Sequence, residues 1–153
     1  MKRITLRKSD IRELNNKISE AYGADDFLNR KDKIELIDDH IISHNNEPIF
    51  FYHESRLAPA LKLLLKHGFP IKKVTVDMGA VKFVTSGADI MRPGIINFDP
   101  EIKDGDFIAI IDENNKKPLA IGKMMFSRQE AESMASGKII KNIHHVGDEL
   151  WRQ

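Results

Sequence analysis

The stretch Val74-Thr75-Val76-Asp77-Met78-Gly79-Ala80-Val81-Lys82-Phe83-Val84-Thr85-Ser86-Gly87-Ala88-Asp89-Ile90-Met91-Arg92-Pro93-Gly94 decides how this chain is read. Its β-branched run, Val74 to Val76, predicts a strand. Asp77 is placed to cap the next turn, and Gly79 lets the backbone bend sharply. One or two helical turns fit Val81 to Ser86, and Gly87 stops them before a second extended run through Ile90. Strand, turn, short helix and strand within about twenty residues is compact, since an ordinary strand–helix–strand unit takes about 30 or more.

Downstream, the strand resumes at Ile95, Ile96 and Phe98, and Asp99-Pro100 turns. Lys103-Asp104-Gly105-Asp106 is a second turn, ahead of the apolar run Phe107-Ile108-Ala109-Ile110-Ile111. Asp112 to Lys116 reads as a hairpin loop, from which Pro118 to Met125 returns antiparallel. Ser127 can cap a helix from Arg128 to Ser136, ended by Gly137. Lys138 to His145 closes as the last strand, with Val146 to Trp151 as a tail. Many short strands at this spacing predict a small closed or half-closed barrel with two short helices.

Upstream the pattern differs. Ile4 to Leu6 fits a short strand, and Asp10-Ile11-Arg12-Glu13 has the spacing of a capping box, with Asp10 as N-cap and Glu13 reaching back. Ile11, Leu14 and Ile18 follow at helical spacing, and Gly23 ends the helix. Lys33 to Asp38 alternates, with Ile34 and Leu36 inward and Glu35 outward. Ile41 to His44 and Ile49 to Tyr52 extend again, separated by the turn Asn45-Asn46-Glu47-Pro48. Ser55 is read as the cap of a helix striped by Leu57, Leu61, Leu64 and Leu65, with Pro59 in its first turn. The chain is thus expected to be α+β, with a small α/β domain of antiparallel strands at 1–70 and a β pseudobarrel at 71–153.

Composition bounds the function. The 153 residues are 41% hydrophobic and 31% charged, enough for a core and a solvated surface. No run of about 18 apolar residues is present, so no membrane span or membrane partner is expected. The N-terminus is basic but has no apolar stretch behind it, unlike a signal peptide. Cysteine is absent, which removes disulfides, thiolate zinc sites and cysteine nucleophiles and fits a cytoplasmic protein. With 24 basic and 23 acidic residues, net charge is only +1. Any nucleic-acid site must therefore be a local patch and not a global field.

From Ile71 to Trp151 the chain resembles a PUA domain, an RNA-binding module. The likeness rests on an ordered set of motifs. Val76-Asp77-Met78-Gly79-Ala80 resembles the opening strand and glycine turn, and Gly87-Ala88-Asp89-Ile90-Met91 the entrance to the second strand. Asp104-Gly105-Asp106 resembles the turn before the central strand, and Ala120-Ile121-Gly122 the return strand. Gly137-Lys138 and Gly147-Asp148-Glu149-Leu150-Trp151 resemble the ending. Ile90-Met91 with Pro93-Gly94, and Asn142-Ile143-His144-His145, narrow the resemblance to the malignant-T-cell-amplified-sequence proteins and their archaeal relatives. Those proteins also carry a small α/β domain ahead of the PUA domain.

The resemblance implies binding to structured RNA, transfer RNA or ribosomal RNA, in translation initiation or ribosome recycling. The small ribosomal subunit or a protein partner is implied alongside. In PUA domains the glycine turn, its helix, the second strand and the last strand form the RNA face. That points to Gly79, Ala80, Lys82, Arg92, Lys141 and His144, with Lys72 and Lys73 flanking the first strand. Physically, Gly79 and Ala80 leave backbone N–H groups open to phosphate, Lys82 adds charge early in the helix, and Arg92 offers a planar fork.

The competing readings are a metal site and an enzyme. His40 and His44 are four apart, but on a turn and strand that spacing is about 13 Å, too far for shared ligation. No metal or cofactor is expected. No phosphate loop, nucleophile elbow or HExxH is present, and about seventy residues ahead of the barrel are few for a catalytic domain. The chain is read as a non-enzyme. The alternative reading is a non-catalytic targeting subunit of a transfer RNA or ribosomal RNA modification enzyme.

Overall fold

The computed structural model describes all 153 residues, which divide into two compact units, Met1–Pro70 and Ile71–Arg152. The first contains β1 (Arg3–Thr5), α1 (Lys8–Tyr22), β2 (Ile34–Ile37), β3 (Ile41–His44), β4 (Glu47–His53), β5 (Arg56–Pro59) and α2 (Leu61–His67). Its five strands form one antiparallel meander in chain order. Two-residue loops make the hairpins tight. Asn45-Asn46 and Glu54-Ser55 all adopt positive φ, between 48° and 72°, the handedness that matches the twist of paired strands. Ile11, Leu14 and Ile18 of α1 pack with Ile34, Ile42, Phe50 and Leu57 in one core.

The structure corrects three local expectations. The helix α1 begins a turn earlier than the capping-box spacing predicts. Arg7 is its cap, and the Asp10 carboxylate accepts from the Arg7 backbone N–H at 2.9 Å, so Asp10 sits inside the first turn. Glu35 is not outward and solvated: its side chain is 7% exposed and bonded to Arg3 Nη1 at 2.8 Å. The expected helix start at Ser55 is instead the hairpin into β5. Leu57 pairs with Tyr52 across it, and Pro59 sits on this sheet-edge strand, where a missing N–H is tolerated. The helix starts only after Ala60, and Leu63, not Leu65, joins Leu61 and Leu64 as a buried residue.

The second unit runs β6 (Lys73–Val76), a 3-10 turn (Met78–Ala80), α3 (Val81–Thr85), β7 (Ile90–Met91), a 3-10 turn (Arg92–Gly94) and β8 (Ile95–Phe98). It continues with β9 (Phe107–Asp112), β10 (Pro118–Met124), α4 (Arg128–Glu132) and β11 (Lys138–His145). The sheet order is β7-β11-β10-β9-β6-β8, with β6 and β9 parallel and the other pairs antiparallel. The two edge strands, β7 and β8, are joined by only the three-residue turn Arg92–Gly94. Three residues reach about 10 Å at most, so opposite edges of the sheet lie close together and the sheet is curled into a pseudobarrel. Val74, Val76, Ile90, Ile108, Ile110, Met124, Ile139 and Ile140 fill it.

Ser127 caps α4 as the sequence predicts, with Glu130 completing the box. The helix stops at Glu132, short of Ser136, because the Ser133 hydroxyl donates to the Glu130 carbonyl at 2.7 Å and draws off the last turn.

Candidate nucleic-acid interface

The glycine turn is built as its residues dictate. Asp77 Oδ1 accepts from the Ala80 N–H at 2.9 Å, and the Asp77 N–H donates to the Gly94 carbonyl at 2.9 Å. This joins the Met78–Ala80 and Arg92–Gly94 turns, so tightly that a Cβ on Gly94 would stand 3.2 Å from Ala80 Cβ. The backbone donors expected to meet phosphate are largely taken: Met78 N–H donates to Glu113 Oε2 at 2.8 Å, and Ala80 N–H serves Asp77. Two carboxylates at this turn make it a poor phosphate cradle. Gly79 is needed for the close turn itself.

Beyond it, α3 buries Val84 and turns Lys82 and Phe83 outward. Phe83 is 57% exposed, and Lys82 Nζ lies 5.2 Å from its ring centroid. Met78 and Met91 are also exposed in the stretches on either side of α3. Exposed aromatic and thioether surface beside a cation is what a stacked base requires. Sequence reasoning passes over Phe83, because a phenylalanine beside valines reads as core.

The last strand closes against this helix. Asn142 Nδ2 donates to the carbonyls of Val84 and Ala88, each at 3.0 Å, and Asn142 N–H donates to Asp89 Oδ1. Lys138 Nζ reaches Asp89 Oδ2 at 2.9 Å. Burial pushes the Asp89 carboxyl up, but the Lys138 and Asn142 hydrogen bonds and the charges of Lys138 and Lys141 outweigh it and hold its pKa below the usual range. Lys141 is exposed on β11.

The remaining expected residues stand differently. Arg92 is half-buried: Nε donates to the Ala131 carbonyl at 2.9 Å, Nη1 to the Ile95 carbonyl at 3.2 Å, and the guanidinium lies over Phe98. It ties the edge turn to α4 before offering any donor outward. Lys72 and Lys73 lie at the far end of β6 from Gly79. Lys72 Nζ donates to the Glu101 carbonyl at 2.7 Å there, and Lys73 N–H bonds Asp99. His144 is 1% exposed, with Nδ1 held by Asp148 Oδ2 at 2.8 Å. The structure thus brings Gly79, Ala80 and Arg92 together at the joined turns, with Lys82 on the helix that follows, while Lys141 lies on β11 within reach of the Asp89 charge, Lys72 and Lys73 stand apart and His144 is buried.

In the first unit, His44 Nε2 bonds Asp32 at 2.8 Å and His40 Nδ1 its neighbouring Asp38 carbonyl, so neither faces the other. A cleft of about 310 Å³ opens between Phe27, His44, Ile49, Leu63 and Lys66. No helix of the chain is long and apolar enough to cross a membrane.

Comparison with known proteins agrees with this architecture. Residues 72–146 match the PUA domain family. An uncharacterised protein of Methanocaldococcus jannaschii is 39% identical over 98% of this chain and 95% of its own length. Translation machinery-associated protein 20 of Saccharomyces cerevisiae is 39% identical over 83% of this chain and 76% of its own. Malignant T-cell-amplified sequence 1 of Danio rerio is 33% identical over 97% of this chain and 89% of its own. The crystal structure of a hypothetical protein from Pyrococcus horikoshii superposes with a TM-score of 0.82 at 32% identity, covering 99% of this chain and 98% of that one. By sequence over nearly its whole length and by fold in both units, this chain belongs to the PUA-domain family of Malignant T-cell-amplified sequence 1 and Translation machinery-associated protein 20.

Proposed function

We propose that this chain binds structured RNA, transfer RNA or ribosomal RNA, through its second unit, and acts in translation initiation or ribosome recycling without catalysing a reaction. The observation that carries the reading is the outward pair Lys82–Phe83 on α3, a cation over an exposed ring. Lys141 adds charge from the facing strand. The name of the yeast relative places that protein with the translation machinery, which supports the pathway. In this reading Lys82 and Lys141 contact phosphate, Phe83 stacks on an unpaired base, and Gly79 and Ala80 permit close approach. Arg92 chiefly positions the turn beside them.

Phosphate contacts make affinity fall with salt, by about 0.7–0.9 logarithmic units per contact. The double variant Lys82→Ala, Lys141→Ala should bind transfer RNA more weakly and with a salt slope reduced by about 1.5. Equal affinity and slope in an anisotropy titration would sink the site. Co-sedimentation of the full chain with small ribosomal subunits supports the pathway. Recovery with an RNA-modifying enzyme instead would make it a targeting subunit.

A further inference from the structure

We infer, from the cleft of the first unit alone and independently of the RNA reading, that this cleft binds a guanine nucleotide. A cavity of about 150 Å³ takes one benzene ring. The cleft measures about 310 Å³, room for a two-ring base, and Leu28, Pro48, Ile49 and Leu63 give it an apolar lining. It is built before any ligand arrives. Asn15 clamps Leu28 by both backbone groups: Nδ2 donates to the Leu28 carbonyl at 2.9 Å, and Oδ1 accepts from its N–H at 2.8 Å. Phe27 beside it stands nearly perpendicular to Phe50 and Phe69, with ring centroids 5.7 and 5.2 Å apart. Groups already fixed in this way cost a ligand little ordering.

The charged groups of the cleft come from different elements. Asp32 and Glu47 belong to the loop before β2 and to the start of β4, whereas Lys62 and Lys66 belong to α2. Two negative and two positive charges cancel, so neither a plain anion nor a plain cation is favoured. A flat apolar body with hydrogen-bond donors at one end and a phosphate at the other suits all four. The Asp32 carboxylate accepts from His44 Nε2 at 2.8 Å through Oδ2. A carboxylate can only accept, so Nε2 carries the proton and His44 orients the group. Oδ1 of Asp32 takes no hydrogen bond from the protein. Guanine is the base whose Watson–Crick edge sets two donors side by side, N1–H and the 2-amino group, which one carboxylate can accept together. Adenine would turn its N1 lone pair toward the same carboxylate. Lys66 already pairs with Glu47, but an exposed ion pair contributes little and an ammonium has three donors, so a phosphate can share it.

The test is a titration of the full, isotope-labelled chain with the 5′-monophosphates of guanosine, inosine and adenosine, followed by its amide resonances. Shifts are expected at Phe27, Leu28, Asp32, Leu63 and Lys66. Inosine lacks the 2-amino group, and one hydrogen bond is worth about 10-fold in affinity. Its nucleotide should therefore bind about 10-fold more weakly than that of guanosine, and that of adenosine more weakly still. Asp32→Asn, which cannot take two donors side by side, should bring the guanosine-to-inosine ratio to about one. Lys62→Ala with Lys66→Ala should make guanosine and its monophosphate bind alike. Lys82→Ala with Lys141→Ala should change none of this, which separates the cleft from the proposed RNA face. A short single-stranded RNA ending in guanosine distinguishes the sources: tighter binding at the same amides assigns the cleft to an RNA base, and weaker binding assigns it to the free nucleotide. No cleft shifts at about 10 mM nucleotide, well above a millimolar Kd, equal affinities for the three nucleotides, or a guanosine preference that survives Asp32→Asn overturns the assignment. Should Asp32→Asn fail to fold, the three nucleotides on the unaltered chain decide by themselves.

Discussion

Single side chains decide both the barrel and its outer face. At Gly122 a Cβ would stand 2.3 Å from Ile140 Cγ2 and 3.2 Å from the Lys141 carbonyl, so β10 and β11 touch there through a hydrogen. Gly122→Ala should destabilise the second unit by about 1–3 kcal/mol through overpacking. An unmoved urea midpoint would show that the strands part without strain. Phe83 is the reverse case, more than half exposed and contributing little to the core. Phe83→Ala should leave thermal unfolding nearly unchanged while weakening RNA binding by about 1–3 kcal/mol, the worth of one stacked base. Lys82 and Gly87 were legible in the sequence as a cation and a helix stop. Phe83 and His145 were not, because exposure and face depend on what packs behind them.

At the scale of elements, the C-terminal turn shows how one carboxylate fastens a strand end. Asp148 accepts from His144 Nδ1 at 2.8 Å and from the N–H groups of His145 and Trp151, each at 2.9 Å. Burial pushes its carboxyl up, but these hydrogen bonds prevail and bring its pKa down to about 2. An unfolded aspartate titrates near about 3.9, so the stabilisation is complete above about pH 4 and is lost as pH falls through about 2. Asp148→Ala should cost about 1–2 kcal/mol at neutral pH, after allowing for partial exposure of the group, and should flatten the acid limb of stability. A parallel acid limb in chemical denaturation would refute this role. The hairpins divide along the same line. Asn45-Asn46 announces its turn through residue type, while Glu54-Ser55 adopts the same left-handed backbone without such a signal, so β5 was hidden.

For the whole molecule, each unit has its own sheet and its own apolar core. Fragments 1–70 and 71–153 should therefore each fold when expressed alone, with dispersed amide spectra and cooperative melting; a fragment that stays unfolded would show that its core is incomplete. A net charge of +1 gives no long-range attraction for RNA, so the proposed RNA binding rests on local cations such as Lys82 and Lys141.

The sequence by itself determined the two-part layout, the strand–turn–helix–strand opening at Val74 to Ile90, and the family. Those rest on local periodicity, on turn residues and on ordered motifs, all of which act over a few neighbours. Only the tertiary structure decided which groups face outward. The carboxylates of Asp77 and Glu113 reach the glycine turn, one by local folding and the other from a separate segment, and occupy its N–H groups. Carbonyls of Ile95 and Ala131 hold Arg92. The bulge at Ile143, visible only in the pairing of β11 with β10, puts His145 in place of His144 on the sheet face of Ile140 and sets it against Gly87. A strand's parity is a property of its partner as well as of itself, and one unpaired residue reverses it.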